Sequence, residues 1–385
     1  MNSLAGELTI DLATRDGAIT AVDIASTRPQ VADRLLAGRL AEAAVAMVPQ
    51  LFTVCGRAQA IAAEIALQAA RGEPADDPAL SRARTHRIET EIAQEYLWRA
   101  LIDWPQAVGA DADAGVLAEL RRALAVDPAG AHEATRDALR HVTEQAVLGG
   151  SAQAWFEREH VPAFEIWIAR AATPAARYLG AVQREGARHG APRSDADVPL
   201  LPAFTQAAVL REVAAALFAA PDFARQPLLD GRPAETGAVG RLSAHPLVAA
   251  LLASFGRSTL TRLAARVTEL ARIAAGVAAP APLFGRLTLT ANDGVRRGVG
   301  WVETARGVLV HLIDLAPGPG EERVAHYRVL APTEWNFHPR GALAAGLLGV
   351  HAPGAAELRR RAEWLVQALD PCVAYALRID GNGHA

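Results

Sequence analysis

The side chains of this sequence that are best suited to metal or thiol chemistry are its two cysteines, Cys55 and Cys372. Thiolates are soft ligands that suit zinc, copper(I) and iron. Two cysteines exclude a disulfide-rich scaffold and a zinc site built from four cysteines. Residue type alone leaves three uses open: a shared metal, a disulfide bond, which a reducing compartment disfavours, or burial as small apolar side chains.

Other familiar chemistries are excluded by what the sequence lacks. All 39 basic residues are arginine, so a lysine Schiff base, a lysine general base and a phosphate-binding lysine are absent. The sequence also has no Gly-rich phosphate loop, no Gly-x-Ser-x-Gly elbow and no His-Glu-x-x-His zinc helix. Three histidines are further candidate metal ligands, although histidines on strands are more often structural: His311, His326 and His338.

Length and charge restrict the class of protein. The 385 residues, 51% of them hydrophobic, suffice for one large domain or two or three average ones. A net charge of −3 argues against a nucleic-acid partner, which requires a concentrated basic surface. Residues 1–7 lack the basic start and apolar run of a signal peptide, and no apolar run approaches the roughly 20 residues of a membrane span. We therefore expect a cytoplasmic protein with no membrane partner.

The elements that must position the two cysteines follow from the spacing of apolar residues. Residues 7–24 alternate polar and apolar side chains around the turn Asp16-Gly17, which predicts a β-hairpin. Residues 31–279 have mainly helical periodicity. Within this helical centre, we predict one helix over residues 31–47 that ends at Pro49.

The C-terminal third returns to β structure. Short alternating or β-branched runs, separated by Gly, Asp and Pro turns, predict strands in residues 286–330. Residues 356–385 contain a helix followed by the second cysteine. A helix-rich centre between two β-containing ends predicts an α+β fold in which the ends meet, as a single domain over residues 1–385.

Five segments of the chain resemble a known family. The two around the cysteines, residues 53–58 (Thr-Val-Cys-Gly-Arg-Ala) and 370–375 (Asp-Pro-Cys-Val-Ala-Tyr), resemble the two metal-binding motifs of the nickel–iron hydrogenase large subunit. Those motifs are Arg-x-Cys-Gly-x-Cys and Asp-Pro-Cys-x-x-Cys-x-x-His. Between them, three segments resemble further parts of that family in the same order: residues 233–241, 303–311 and 331–340. The resemblance implies a hydrogenase large-subunit-like α+β fold.

Departures from the family motifs change the expected chemistry. In the hydrogenase, each Cys-x-x-Cys pair supplies two thiolates, so that four cysteines hold nickel and two of them bridge to iron. Here Ala58 and Tyr375 replace the second cysteine of each pair, so both bridging thiolates are missing. Nickel then lacks its four-thiolate site, and we expect no hydrogenase activity.

Three further positions depart from the hydrogenase motifs. Ala5 stands where the family has a glutamate implicated in proton transfer, and Thr53 replaces the arginine before the first cysteine. Arg378 occupies the position of the histidine used in proteolytic maturation. These differences also indicate a protein that does not undergo the family's usual nickel-dependent processing.

The pattern is similar to that of the HupK (HoxV) family of hydrogenase expression/formation proteins, which are paralogues of the large subunit. The resemblance implies a maturation scaffold or carrier in which Cys55 and Cys372 hold an iron bearing cyanide and carbon monoxide. Arg306, which the large-subunit resemblance retains, would contact the diatomic ligands because a guanidinium donates hydrogen bonds to anionic acceptors. The implied partners are a hydrogenase large-subunit precursor and accessory proteins.

Two other functions stay open from the sequence. One is a divergent hydrogenase or hydrogen sensor with an altered metal set. The other is a metal-free interaction module that binds maturation partners through the large-subunit shape.

Overall fold

The computed structural model describes most of the chain in two compact units. The described residues are 6–52, 54–126, 133–189, 198–290, 295–318 and 320–381. Unit 1 contains Met1–Asp77, Ser194–Gly237 and Ala281–Ala385, whereas unit 2 contains Pro78–Arg193 and Ala238–Pro280. Both cysteines therefore belong to unit 1. The organisation of residues 1–385 as a single domain stays a prediction.

The strands of the described ranges form two sheets, both in unit 1. One has the order β2-β1-β7 and the other β3-β4-β5-β6. The strands are β1 (Glu7–Arg15), β2 (Ala18–Ser26), β3 (Phe284–Thr290), β4 (Arg296–Thr304), β5 (Gly307–Leu315), β6 (Val324–Leu330) and β7 (Ala374–Gly381).

Helices account for most of the residues between β2 and β3, and others follow β6. They are α1 (Val31–Leu36), α2 (Ala41–Leu51), α3 (Gly56–Arg71), α4 (Pro78–Trp98), α5 (Trp104–Ala107), α6 (Ala114–Val126), α7 (Glu133–Val142), α8 (Ala152–Phe156), α9 (Val161–Arg170), α10 (Pro174–His189), α11 (Ala207–Ala219), α12 (Ala238–Arg241), α13 (Pro246–Phe255), α14 (Thr259–Ala274), α15 (Pro332–Asn336), α16 (Ala342–Leu347) and α17 (Ala355–Leu369). Two π-helical segments, Arg99–Asp103 and Thr143–Leu148, and one 3₁₀ segment, Pro221–Arg225, complete the set in the described ranges.

The helix predicted over residues 31–47 is instead two helices. Gly38 lies between α1 and α2 with a φ of 80°, a left-handed conformation that interrupts a helix and that glycine adopts without steric cost. Pro49 lies inside α2 and does not end it. The prediction relied on apolar spacing, which continues across the break, and it overlooked the glycine.

The first sheet joins the two β-containing ends of the chain. The hairpin of β1 and β2 turns at Asp16 and Gly17, whose φ angles of 52° and 74° suit a turn with two left-handed residues. On its other side β1 pairs in parallel with β7, so that Leu8 lies opposite Tyr375. The two ends thus meet in one sheet, which holds the residues after β2 close to those before β7.

The second sheet carries α3 on one of its faces. The helix crosses β4 at Gly298 and Gly300, where a Cβ atom would lie 2.0 Å from the carbonyl oxygen of Ala66 and 2.2 Å from that of Ala62. Real Cβ atoms do not come that close to backbone atoms, so this contact requires glycine at both positions. The close packing fixes α3, and with it the cysteine at its N-terminus, against β4.

The other face of the second sheet packs on residues 204–234. Leu210, Val213 and Leu217 of α11 form a buried cluster with side chains of β4 and β5, including Trp301 and Val310. All nine residues of β5 are buried as a result. The turn between β4 and β5 is therefore attached to a strand pair covered on both faces.

Unit 2 is helical in its described residues and centres on α14, which is buried on nearly all sides. Glu269 of this helix accepts hydrogen bonds from both Nε and Nη2 of Arg241 and from the hydroxyl of Tyr96. Burial raises the pKa of Tyr96 well above its usual value. For Glu269, burial favours the neutral carboxyl, but Arg241 outweighs it and lowers the pKa. A bidentate buried ion pair thus joins α12 to α14.

Across the described ranges, the helices are all too short or too polar to cross a lipid bilayer.

Candidate functional site

Cys55 lies at the start of α3, in a backbone conformation unusual for a residue with a side chain. Its φ of 59° and ψ of 38° are left-handed, and it occupies the N-cap position of the helix. Left-handed conformations cost free energy in residues other than glycine and are enriched at functional sites. The side chain is buried, with 7% of its surface exposed. The local fold therefore fixes the position of this thiol at the N-terminus of α3.

Cys372 is placed by the end of α17 and by a threonine of α15. Asp370 ends the helix with a φ of 56°, and Pro371 prevents the helix from continuing. The amide of Cys372 then donates to Oγ1 of Thr333 at 3.1 Å, and this oxygen lies 3.0 Å from Sγ of Cys372, with its hydroxyl as donor. The backbone and the sulfur of Cys372 thus contact one side chain, which fixes the thiol beside α15.

Arg306 lies at the tip of a tight hairpin. Thr304 at the end of β4 pairs with Gly307 at the start of β5, so Ala305 and Arg306 form a two-residue turn. Oγ1 of Thr304 accepts from the amide of Arg306, and Nδ2 of Asn336 donates to the carbonyl oxygen of Arg306. A hairpin tip is usually exposed, but here only 3% of Arg306 is accessible. The arginine is therefore part of a buried site and not a solvent-facing turn residue.

The guanidinium of Arg306 links the two cysteine motifs. Nη1 donates to Sγ of Cys55 at 3.2 Å, and Nε lies 3.5 Å from Oδ2 of Asp370. Asp370 is 2% exposed, so this ion pair is almost fully removed from solvent. A single side chain from the second sheet thus contacts the motif at α3 and the motif at α17.

Arg28 provides a second guanidinium, which sequence reasoning missed. Its Nη1 donates to Sγ of Cys372 at 3.3 Å and to Oε1 of Glu334 at 3.4 Å. Two contacts position Arg28 after β2. The amide of the preceding Thr27 donates to the carbonyl oxygen of Glu7. The backbone of Arg28 also packs directly on Gly6, where an added Cβ would lie 2.5 Å from Cα of Arg28. Nothing local in the sequence marks this arginine, because its partners are far away along the chain.

Burial and charge act in opposite directions on the Arg28–Glu334 pair. Burial disfavours the charged guanidinium, but the Cys372 sulfur and Glu334 outweigh it, so the pKa of Arg28 is raised. For Glu334 burial is the larger effect, and its pKa is raised despite the attraction of Arg28 and Arg225. Burial outweighs the attraction of Arg28 for Glu334 because only 6% of this side chain is exposed and the contact is long, at 3.4 Å.

The two cysteines and the two arginines line one cavity of about 90 Å³. This volume exceeds what a single water requires, about 10–15 Å³ on a comparable measure. A second cavity of about 270 Å³ adjoins the same arginine, since Arg28 also lines it, together with Glu334 and Arg225. The structure therefore brings together Cys55, Cys372 and Arg306, the residues that the family resemblance implies for the iron site, and adds Arg28.

The residues that replace the missing cysteines do not line this cavity. Ala58 is buried in α3, one turn after Cys55, and carries no ligating atom. Tyr375 lies on β7 and packs against the apolar cluster of the first sheet. Arg378 is a largely exposed β7 residue near Asp11. The substitutions at residues 5 and 53 lie outside the described residues.

The three candidate histidines are also separate from the cavity. His311 is buried between the hydroxyl of Tyr327 and Oε1 of Gln59, and burial lowers its pKa to about 3. Burial, and secondarily Arg340, lower the pKa of His338 to about 4. His326 is half exposed beside Asp33. The two buried histidines, His311 and His338, therefore fit a structural role. Gln59 lines the cavity and also contacts His311, so it links the cavity to this histidine.

The polar side chains that line the cavity are thus two thiols, two guanidiniums, the amide of Gln59 and the hydroxyl of Thr304. The thiols are not joined by a disulfide bond. Within the described ranges, His, Cys, Asp and Glu side chains nowhere form a group of three or more that could hold a metal ion. Such a site supplies two soft ligands and several hydrogen-bond donors, which suits a metal that brings anionic ligands of its own.

Comparison with known proteins finds relatives that match nearly the full length of the chain. The chain is 35% identical over 370 residues to hydrogenase expression/formation protein HoxV of Cupriavidus necator, covering 92% of each chain. It is 32% identical over 381 residues to hydrogenase expression/formation protein HupV of Azotobacter chroococcum mcd 1, with 98% of this chain and 99% of the relative covered. The protein HupK of Azotobacter vinelandii is also 32% identical, over 378 residues. No family model matches the chain.

The fold is that of nickel–iron hydrogenase large subunits. The reduced Ni-Fe-Se hydrogenase from D. vulgaris Hildenborough superposes with a TM-score of 0.60 over 93% of this chain and 94% of that one, at 15% sequence identity. A [NiFeSe]-hydrogenase from Dm. baculatum gives a TM-score of 0.53 over the same shares. The predicted α+β class and large-subunit-like fold are confirmed. From the full-length similarity to HoxV and HupV, the chain belongs to the hydrogenase expression/formation proteins of the HupK (HoxV) family.

Proposed function

We propose that this protein is a non-catalytic scaffold that carries an iron–cyanide–carbonyl group during assembly of the nickel–iron hydrogenase active site. The observation that supports this most directly is the convergence of Cys55 and Cys372 on one cavity, each with a guanidinium within hydrogen-bond distance of its sulfur. A role in maturation is also supported by the names of the relatives, which are hydrogenase expression/formation proteins.

The chemistry of the cavity fits such a cargo. Thiolates are suitable ligands for iron, and two of them leave coordination positions for diatomic ligands. Bound cyanide is anionic and accepts hydrogen bonds through nitrogen, for which a guanidinium is a strong, charge-assisted donor. Arg306 lies beside Cys55 and is held by Asp370, so it would meet a ligand of an iron bound to that sulfur.

The same donor set supports a carrier without nickel and without hydrogenase activity. Two cysteines provide half of the four thiolates that the large subunit uses, and Ala58 and Tyr375 lie outside the cavity lining. A cargo held by two protein ligands exchanges more readily than one held by four. The proposed partners are therefore a large-subunit precursor, which would receive the iron group, and accessory proteins that supply it.

The test is infrared spectroscopy of protein purified anaerobically from cells that contain the hydrogenase maturation machinery. We expect cyanide and carbonyl stretching bands in the wild-type protein, together with iron. Cys55→Ser and Cys372→Ser each replace a ligating sulfur with a weaker oxygen ligand and should abolish the bands. Thr261→Ser, which alters a buried hydroxyl side chain that does not line the cavity, is the control and should retain them.

Each other outcome identifies a different function. Bands that survive both cysteine substitutions would refute the carrier. Nickel together with hydrogen–deuterium exchange activity would indicate a divergent hydrogenase or hydrogen sensor. A wild-type protein with no bands, and a Cys55→Ser variant that still supports hydrogenase maturation in cells, would indicate a metal-free interaction module.

A further inference from the structure

The two cysteines of the cavity have matching surroundings. Sγ of Cys55 accepts from Arg306, which pairs with Asp370. Sγ of Cys372 accepts from Arg28, which pairs with Glu334. In both cases a buried carboxylate holds a guanidinium against a sulfur. The large-subunit resemblance points only to the first arginine, so the second one requires its own explanation.

Arg28 has hydrogen-bond donors left over for a ligand. Its described side-chain contacts, to Cys372 and Glu334, are both made by Nη1. A guanidinium has five N–H groups, and those on Nε and Nη2 donate to none of the described residues. The side chain is only 13% exposed, yet it lines both cavities. These donors are therefore available to a group inside the site.

We propose that Arg28 is a second positioning residue for the iron group and that its Nε or Nη2 donates a hydrogen bond to an anionic ligand of the iron. This inference rests on the proposed function and adds a residue to its site. A neutral carbonyl ligand is a poor hydrogen-bond acceptor, whereas cyanide is anionic and accepts strongly. Arg28 would therefore orient a cyanide beside Cys372, as Arg306 is proposed to do beside Cys55.

A purely structural role for Arg28 makes a different prediction. If this arginine acted only through Cys372, loss of its hydrogen bond to the sulfur would change the electron donation of that sulfur to iron and would shift the carbonyl band and every cyanide band together. If it contacts a cyanide, its replacement changes mainly the stretching frequency of that one ligand. The selectivity of the shift for one cyanide band separates the two roles.

The experiment compares infrared spectra of loaded wild-type, Arg28→Gln and Arg361→Gln proteins, with isotope-labelled cyanide used to assign the bands. We expect Arg28→Gln to shift one cyanide band, with smaller changes in the remaining bands. The variant should also lose its iron faster by roughly tenfold or more, the factor expected for a charge-assisted hydrogen bond. Arg361→Gln is the matched control, because Arg361 is also a little-exposed arginine paired with a glutamate but lines neither cavity, and it should leave the bands in place.

Band positions in Arg28→Gln identical to those of wild type, or equal shifts of the carbonyl and all cyanide bands, would overturn this inference while leaving the carrier function intact. Wild-type protein without any bands would remove both. If circular dichroism shows that Arg28→Gln does not fold, Arg28→Lys provides the same test, because an ammonium retains the charge but lacks the planar donor geometry. It should also shift a cyanide band, and an unshifted spectrum would again refute the contact.

Discussion

The ion pair between Arg306 and Asp370 allows the strength of the site to be predicted from its geometry. The two charges lie 3.5 Å apart, which corresponds to an attraction of about 5 kcal/mol at an effective dielectric constant of about 20. Desolvation opposes this gain, but removal of one partner from a buried pair typically costs about 3–5 kcal/mol, because the other charge stays buried. The distance is long for a charge-assisted contact. We therefore expect Arg306→Gln to lower the free energy of unfolding of unit 1 by about 3 kcal/mol.

Hydrogen exchange measured by mass spectrometry on peptides of β5 is the suitable assay. All residues of this strand are buried, so its amides exchange mainly when unit 1 opens. A loss of about 3 kcal/mol should accelerate that exchange roughly a hundredfold. Arg323→Gln is the control, because its pair with Glu321 is exposed and should change stability by less than about 1 kcal/mol.

A double-mutant cycle with Asp370→Asn tests the assignment of the cost to the pair. If the two side chains stabilise each other, the double variant should lose less than the sum of the single losses, by at least about 1 kcal/mol. Additive losses, or β5 exchange that stays at the wild-type rate in Arg306→Gln, would show that the contact does not contribute to folding.

Two further predictions concern the surroundings of the site. Gly300→Ala would place a Cβ 2.2 Å from the carbonyl oxygen of Ala62, so we expect urea unfolding to show a loss of stability near the upper end of the roughly 1–3 kcal/mol that is usual for overpacking. Gly354→Ala is the control and should change stability little, because no atom lies within 4 Å of the added Cβ. Equal effects of the two substitutions would contradict the close packing of α3. The pKa of His311 is about 3 in the folded protein and about 6.5 in an unfolded chain, so the unfolded state binds more protons below about pH 6.5. The free energy of unfolding should therefore fall as the pH decreases from 6.5 towards 3, by up to about 1.4 kcal/mol per pH unit. His311→Gln should show a shallower decline between pH 7 and pH 5, and an unchanged slope would refute this.

Local sequence patterns predicted the turns and helix ends that depend on a few neighbouring residues. The Asp16-Gly17 turn supplies two residues that tolerate left-handed backbone, so the hairpin follows from two positions. The helix stop before Cys372 follows in the same way from Asp370-Pro371. The cysteines stood out because thiols are rare in this chain, and family motifs distinguished a shared site from ordinary burial.

The remaining features could not be predicted because they depend on tertiary packing. Arg28 is one arginine among many, and its role arises only when β1 pairs with both β2 and β7. Burial of Arg306 depends on Asn336 and on the apolar cover of both faces of the second sheet. The requirement for glycine at residues 298 and 300 likewise comes from α3, which is distant in sequence.

The contacts of the site span very long stretches of the chain, which affects how a bound group would act on folding. The Arg28–Cys372 hydrogen bond joins residues 344 positions apart, and the Arg306–Cys55 bond joins residues 251 positions apart. An iron bound to both sulfurs would therefore act as a removable cross-link that closes most of the polypeptide into a loop, and it would bind only the native state. Delivery of the cargo would open that loop, so the empty carrier would unfold more easily than the loaded one. Resistance to proteolysis would therefore report the fraction of the protein that is loaded.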